Sequence, residues 1–587
     1  MAFSGGMPTV RETIRFGQFE LDVGSYELRR QGRPVRLERR PMDLLILLVS
    51  RPRELVSRAE IVERLWGIDV FVDVDTGVNT AIRKIRRALR DSPRRSTFIE
   101  TVSGKGYRFV ADVQLMRTPD ARGPVTMLAV LPFINLTGDP EREYLADGFT
   151  EDTIASLSQL DPDHLCVIGR MSAMAYKRTR KSVSTIGSEL NVQVLVEGSI
   201  RSTGSLLQIR CTLNRARDQV QLWSHSYEAE VTMLAAVQRD LTSAIADQVR
   251  LRLSPERLEL TARRHTRDAA AYDLYLRGRR FWNQLTPATT RIAVDYYTRA
   301  TEIDPDYALA WAGLAEAFSG APINGDAEPL VMMPRAREAA EQAVRANAGL
   351  SEAQHVSGQV KWFYEWDFRA ADAAFRKAVT LDASNAWAHS MFGHALSQLG
   401  RHDESRTAME RARMLEPLSP LHYAMSSQVA FQARDMVSAA NHARRAIAID
   451  PELWVSYMMR GQVCEQVGET DLALDALITA ARLSGGNSKP VALRGYVLAR
   501  LGHVDAAREV LAVLQDISGN RYVPPYAIAL IYAGLEQHDL MFDWLERALT
   551  ARDVHLIFLP VDPKWDRYRA ESRFKSLVER CGFADLH

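Results

Sequence analysis

The chain has 587 residues, too many for one hydrophobic core, so roughly two to four domains are expected. A hydrophobic fraction of 46% and a charged fraction of 25% exclude a disordered polyelectrolyte, and a net charge of +1 excludes partner choice by bulk charge. The charge is unevenly placed, because residues 1–115 hold 21 Lys+Arg against 15 Asp+Glu, leaving a slightly acidic remainder. Cys166, Cys211, Cys464 and Cys581 are far apart and form no CxxC pair, which suits a reducing compartment and gives no metal-ligand spacing. No apolar run follows a basic N-terminus, and "LLILLV" (Leu44–Val49) and "MLAVLPFI" (Met127–Ile134) fall far short of the roughly 20 residues that span a bilayer. A soluble, cytoplasmic chain is expected.

The first region covers residues 10–112. "IRFGQFELD" and "YELRRQGRPVRL" alternate as short strands do. "RRPMDLLILLVSRP" predicts a helix that stops at Arg51-Pro52. In "SRAEIVERLWG", Ser57 is a candidate N-cap with Glu60 three residues on, the spacing of a capping box. The basic segment "VNTAIRKIRRALR" (Val78–Arg90) comes next, then "FIETVSGKGYRFV", two strand-like runs about a turn at Ser103–Gly106. "ADVQLMRTPDARGP" (Ala111–Pro124) has linker composition, so a linker is expected over 113–124.

Placed on a helix, Val78, Ile82, Ile85 and Leu89 form one stripe that must face a core, with Ala81 and Ala88 beside it. The opposite face presents Thr76, Thr80, Arg83, Lys84 and Arg87, with Arg86 and Arg90 toward its edges, and Asp73 or Asp75 is a candidate cap. A solvated helix face usually alternates acids with bases, yet no acid lies between Val78 and Arg90. A helix of this size fits the major groove of B-DNA, where Arg and Lys bond guanine edges. On these residues alone, the charged surface and the nucleic-acid contact stand level.

The order of strands, two helices, a basic helix and a β-hairpin weighs for the second. "FGQFELD", "GRPVRLERRPMDLLILLVSRPRELVSRAEIVERLWG", "VNTAIRKIRRALRD" and "FIETVSGKGYRFV" together resemble the DNA-binding domain of OmpR/PhoB-type winged-helix transcriptional regulators over residues 14–110. That resemblance implies that Val78–Arg90 belongs to the recognition helix and Phe98–Val110 to the wing. It implies DNA contacts by Thr76, Thr80, Arg83, Lys84, Arg86 and Arg87, phosphate contacts by Arg39 and Arg40, and a wing contact by Lys105. Wings of this family often carry an Arg where this chain has Ser103, so Lys105 is the substitute. No phospho-acceptor receiver domain of the kind usual in the family is read before residue 14, so phosphorylation control of that kind is not expected.

Residues 125–255 mix strands and helices, with "HLCVIG", "VQVLVEGSI" and "LLQIRCTL" rich in β formers, a helix after Thr150, and a closing helix in "VTMLAAVQRDLTSAIADQVRLRL". "VLPFINLTGDPEREYLADGFTEDTIASLSQL" and "QLWSHSYEAEVTMLAAVQRDLTSAIADQV" resemble the TolB-like α/β domain found fused to signalling modules. That likeness implies a fold and no reaction. "LVEGSIRSTGS" lacks a phosphate-loop pattern, and Gly198 and Gly204 are expected in turns. Arg170 and "YKRTRK" (Tyr176–Lys181) are weighed as an anion site and read as a solvated loop.

Residues 268–587 repeat. Ala300, Ala343, Ala378, Ala412, Ala446, Ala480, Leu514 and Ala548 align, at steps of 43, 35, 34, 34, 34, 34 and 34. A sustained 34-residue helical period marks tetratricopeptide repeats. Pro305, Pro417 and Pro451 are expected to begin helices, and Gly393, Gly461 and Gly495 to sit at tight helix contacts. The aromatic run "KWFYEWDF" (Lys361–Phe368) is expected to pack between repeats, with some rings reaching the concave surface.

The expected architecture is multidomain α+β: an N-terminal winged helix, a central α/β TolB-like domain and a C-terminal α-solenoid, CadC-like without a transmembrane segment. No HExxH, GxSxG or kinase pattern is present, and no cofactor, metal or catalytic residue is expected. Double-stranded DNA is the expected partner, with proteins through the repeats, RNA polymerase and a dimer on DNA as further candidates. The rivals are a repeat scaffold whose winged helix makes protein contacts, and an enzyme acting through the α/β domain.

Overall fold

A computed structural model describes residues 11–22, 27–30, 33–35, 37–58, 60–62, 74–92, 96–118, 125–161, 164–203, 206–230, 233–249, 266, 268–284, 287–324 and 326–583. They divide into two compact units, Met1–Val125 and Thr126–His587. No helix among the described residues is long and apolar enough to cross a membrane.

The first unit runs β1 (Arg11–Phe16), β2 (Phe19–Asp22), β3 (Glu27–Arg30), β4 (Arg33–Val35), α1 (Arg39–Val49), β5 (Leu55–Ser57), α2 (Val74–Leu89), β6 (Ile99–Val102), β7 (Gly106–Phe109) and β8 (Gln114–Thr118). One antiparallel sheet has the order β4-β3-β2-β1-β8, and a smaller one the order β5-β7-β6. The β8 strand corrects the expected linker: Gln114–Thr118 pair with Arg15–Arg11. A strand edge offers a row of unpaired N–H and C=O groups, which a neighbouring backbone satisfies whatever its side-chain pattern. Ser57 caps as expected, its Oγ accepting the Glu60 N–H at 3.2 Å. The Glu60 carboxylate turns instead to Arg51 Nη1, 2.5 Å away.

Phe16 packs edge-on against Phe98 and Phe109, with ring centroids 5.7 and 5.1 Å away. Val78, Ile82, Ile85 and Leu89 join the same core, each at most 2% exposed. Gly106 is required where β7 crosses β5, because a Cβ there would strike the Val56 carbonyl oxygen.

The second unit opens with β9 (Thr126–Val130), β10 (Ile134–Asn135), α3 (Glu143–Leu160), β11 (Leu165–Val167), α4 (Arg170–Met174), α5 (Val183–Leu190), β12 (Val194–Thr203), β13 (Leu206–Arg215), β14 (Gln221–Ala229) and α6 (Leu234–Gln248). The sheet order is β11-β9-β12-β13-β14, with β10 beside β12. Pairing is parallel from β11 to β12 and antiparallel from β12 to β14. The α3 helix starts at Glu143, before the expected Thr150. Gly148, inside this helix, clears space for the Leu276 side chain. Gly198 is likewise no turn residue: it lies inside β12, where a Cβ would strike the Phe133 ring. Gly204 lies outside the described residues.

Eight helix pairs follow among the described residues, from Ala269–Trp282 with Pro287–Ile303 to Pro525–Gly534 with His538–Thr550. All eight aligned positions, from Ala300 to Ala548, are 0% exposed. The long first step arises because Ala308–Asn324 and Pro329–Ala346 are 17- and 18-residue helices, against 13 and 14 in later pairs such as Ala386–Gln398 and His402–Leu415. Gly393, Gly461 and Gly495 sit at helix contacts as expected, with ideal Cβ positions within 3.0 Å of Met409, Leu477 and Ile531. Pro305, Pro417 and Pro451 do not begin helices; each lies in the turn, three residues ahead of the next one. The preceding acid explains two of them: Asp304 and Asp450 each accept the N–H two residues on, at 3.0 and 2.8 Å. Such an Asx turn wants Pro at its second position.

The α/β part and the repeats are not separate bodies. Leu128, Phe149, Val196, Leu241, Tyr272 and Tyr297 belong to one continuous core. Glu151 on α3 pairs with Arg170 and Arg279 and accepts from Asn283 Nδ2. The Gly169 N–H donates to the Leu415 carbonyl at 2.9 Å. The array also closes on itself. Asp326 accepts from the Ser488 N–H and Oγ at 2.9 and 2.6 Å, and Arg552 Nη1 donates to the Tyr364 carbonyl at 3.1 Å. Replacing Gly198 with Ala forces a methyl into the Phe133 ring, so the full chain is expected to lose about 1–3 kcal/mol in chemical unfolding followed by circular dichroism.

Candidate nucleic-acid interface

Helix α2 is rotated by its apolar stripe. Burying each of those four side chains stabilises by about 1.5–3 kcal/mol, while repulsion between neighbouring cations costs a few tenths per pair. Burial wins, and the cations are left on the outer face. Arg83 and Arg87 are exposed; Thr80 and Lys84 are partly so. Arg90 ends the helix with a φ of 55°.

The outward residues differ in their freedom. Lys84 Nζ donates to Glu38 Oε2 at 2.6 Å, in a pair whose side chains are 42% and 70% exposed, so its contribution is about 0–1 kcal/mol. Arg86 is committed more firmly. Its Nη2 donates to the Ile99 carbonyl and to Thr101 Oγ1, both at 2.8 Å, and ties α2 to the first strand of the hairpin. Although expected among the DNA contacts, this guanidinium is engaged within the unit. Asp91 supplies a second tie, its carboxylate accepting the N–H groups of Thr97, Phe98 and Ile99 at 2.7, 3.3 and 2.8 Å.

Between α2 and the β6–β7 hairpin lies a groove of about 510 Å³, lined by Arg58, Asn79, Arg83, Arg86, Arg87 and Thr101 among others. Arg58 and Asn79 escape sequence reading. Arg58 Nη2 donates to Asn79 Oδ1 at 2.9 Å and to Tyr107 Oη at 3.1 Å, and its guanidinium lies 5.4 Å from the Tyr107 ring centroid. Tyr107 Oη donates to the same Asn79 oxygen at 2.9 Å. The available signal was a base one position after the N-cap Ser57, beside a polar residue on the outer face of α2.

The hairpin tip is open: Ser103, Gly104 and Lys105 are all exposed, and Gly104 takes a φ of 71°. The tip and the outer face of α2 therefore belong to one surface bordered by the groove. Thr76, Arg39 and Arg40 lie on helical backbone, but their side chains, and that of Asp75, lie outside the described residues, as does all of Asp73.

Residues 32–109 match the family described as "Transcriptional regulatory protein, C terminal". The N-terminal unit is an OmpR/PhoB-type winged helix. Residues 388–417 match the tetratricopeptide repeat. Over 411 residues the chain is 21% identical to the transcriptional regulator HilA of Salmonella typhimurium, covering 70% of this chain and 72% of that one. A 188-residue stretch is 35% identical to a putative adenylate cyclase 3 of Rhizobium meliloti and spans only 32% of either chain. Among solved structures, the Klebsiella pneumoniae RstA DNA-binding domain in complex with the RstA box is 28% identical. That likeness covers 17% of this chain and 96% of that one, at a TM-score of 0.16.

Two other candidate sites resolve differently. Lys177 pairs with Glu143 and Asp147, Lys181 with Glu189, and Arg170 with Glu151, so three of the five cations weighed as an anion site are internally neutralised. Trp362, Phe363 and Trp366 are buried in the repeat core, as packing predicts. Arg86→Met removes both donations to the hairpin and is expected to cost about 1–3 kcal/mol locally. Hydrogen exchange in the full chain should then show faster exchange of the Ile99–Phe109 amides, with the repeat helices unchanged.

Proposed function

We infer that the protein is a DNA-binding transcription regulator, with the winged helix on duplex DNA and the repeats as a protein-interaction region. The carrying observation is the exposure of Arg83 and Arg87 on the helix face opposite a fully buried stripe. HilA, similar over most of its length, is a transcriptional regulator, which supports the same role here.

In this reading Thr80, Arg83 and Arg87 meet base edges in the major groove, which is about 12 Å wide and admits a helix. Lys84 exchanges its surface pair with Glu38 for a phosphate. Lys105, at the open hairpin tip, reaches a phosphate or the minor groove, while Thr76, Arg39 and Arg40 serve the backbone. Arg86 positions the hairpin rather than touching DNA. We assign the sheet-bearing part of the second unit to the TolB-like fold and give it and the repeats the reception of a signal or partner, RNA polymerase included. Action in the cytoplasm, as a pair on repeated half-sites, completes the reading, and no reaction is assigned to the chain.

Arg83→Ala and Arg87→Ala are each expected to weaken binding to selected duplex DNA by about 1–3 kcal/mol in fluorescence anisotropy, with native circular dichroism kept. Affinity should fall steeply with salt, since each neutralised phosphate releases counterion. Unchanged affinity in both variants rejects the recognition-helix assignment. No retention of any random duplex by the full chain at moderate salt favours the repeat scaffold instead.

A further inference from the structure

The repeat array lines a cavity of about 1210 Å³. The cavity follows from the ties already described between early and late repeats, and from the path of the C-terminal segment. Cavity-lining positions recur every 34 residues at His394, Gln428 and Gln462. Residues Val554–Phe558 and Pro563–Tyr568 cross this ladder: Phe558 lies 5.7 Å from the His394 ring, and Lys564 Nζ donates to Gln462 Oε1 at 3.3 Å. Arg434 Nη1 holds the Val561 carbonyl at 2.6 Å. An extended peptide would need the track that the chain's own segment occupies, so a compact ligand fits the remaining space better.

The walls are rich in rings, with Trp282, Phe318, Phe363, Trp387, Trp454 and Phe558 among them. The charges that line the cavity are mostly matched. Arg521 lies 3.3 Å from Asp326, Lys564 lies 2.7 Å from Asp562, and His555 Nδ1 lies 2.8 Å from Asp553. Arg335 sits over the Phe318 ring at 4.2 Å, Glu316 lies 3.9 Å from Arg279, and Arg291 and Glu452 are exposed. Lys489 is different. Its Nζ makes no hydrogen bond or ion pair with a described residue, and it lies 5.9 Å from the Trp454 ring centroid. Burial pushes its ammonium down to about 8, against the pull of Asp326 and Asp553. Burial likewise pushes His394 down to about 4, helped by the Lys489 charge, so that ring is neutral near pH 7.

We propose that this cavity binds a small organic anion with an apolar, ring-bearing body, its acid group held by Lys489 and its body stacked among the rings. A partly desolvated ammonium without a partner gains a charge-assisted hydrogen bond from such a ligand, and ring-lined cavities with a few placed polar groups are the usual form of small-molecule sites. The proposal deepens the regulator reading by naming the chemical class of its effector, yet its test does not depend on DNA.

The probe is anilinonaphthalene sulfonate, an aromatic anion that brightens in apolar surroundings, titrated into the full chain. Its uncharged parent, phenylnaphthylamine, is the comparison. Saturable binding of the sulfonate is expected, stronger than that of the parent, weakened about tenfold or more in Lys489→Met and largely kept in Lys489→Arg. The parent should bind wild type and Lys489→Met alike. Equal sulfonate affinity in wild type and Lys489→Met overturns the proposal. Wild type that binds the neutral parent as well as the sulfonate, or shows no saturable binding, overturns it without reference to any variant. Loss of DNA binding in Arg83→Ala leaves all these outcomes untouched.

Discussion

The rotation of one helix about its own axis sets the chemistry of the first unit. Val78, Ile82, Ile85 and Leu89 are removed from water against a cluster of phenylalanines, and no other rotation of α2 buries them together. The opposing tendency, mutual repulsion among Arg83, Lys84, Arg86, Arg87 and Arg90, is weaker by several-fold and cannot turn the helix. Local devices then fix what stands around it. Arg86 and Asp91 hold the hairpin to the helix, and the absence of a side chain at Gly106 lets β7 lie against β5. A surface is produced in which the exposed cations belong to a rigid ridge, which is what a groove-reading element requires.

In the second unit the governing constraint is that neither part can cover its own apolar face. The sheet of β9, β11 and β12 sends Leu128, Val130 and Val196 into a core completed by Tyr272 and Tyr297 of the first helix pair. The helix pairs in turn stack through small residues, which is why Ala378, Ala412, Ala446 and Ala480 are wholly buried. Curvature accumulates until Asp326 meets Ser488, and the interior becomes a chamber crossed by the C-terminal segment. The α/β part and the repeats therefore form one continuous packed body.

Much was legible along the chain because it repeats with a short period. The 3.6-residue stripe of α2, the 34-residue ladder and the N-cap at Ser57 all concern residues whose relation is set by local backbone geometry. Where reading failed, the deciding neighbour was distant. Gly198 looked like a turn residue because its reason is the Phe133 ring across the sheet. Gln114–Thr118 looked like linker because backbone pairing with β1 leaves no mark on side chains.

The amino-acid order alone determined the apolar face of the basic helix, the Ser57 cap and the repeat length, since each rests on contacts within a turn or between adjacent helices. Tertiary structure alone decided that Arg86 faces the hairpin, that Arg58, Asn79 and Tyr107 converge, and that Lys489 stands in the repeat cavity with no hydrogen-bond or ion-pair partner among the described residues. The physical reason is that these outcomes depend on which surfaces meet across 13 to 162 residues of chain, and packing selects that meeting through volume and desolvation, which no periodicity records.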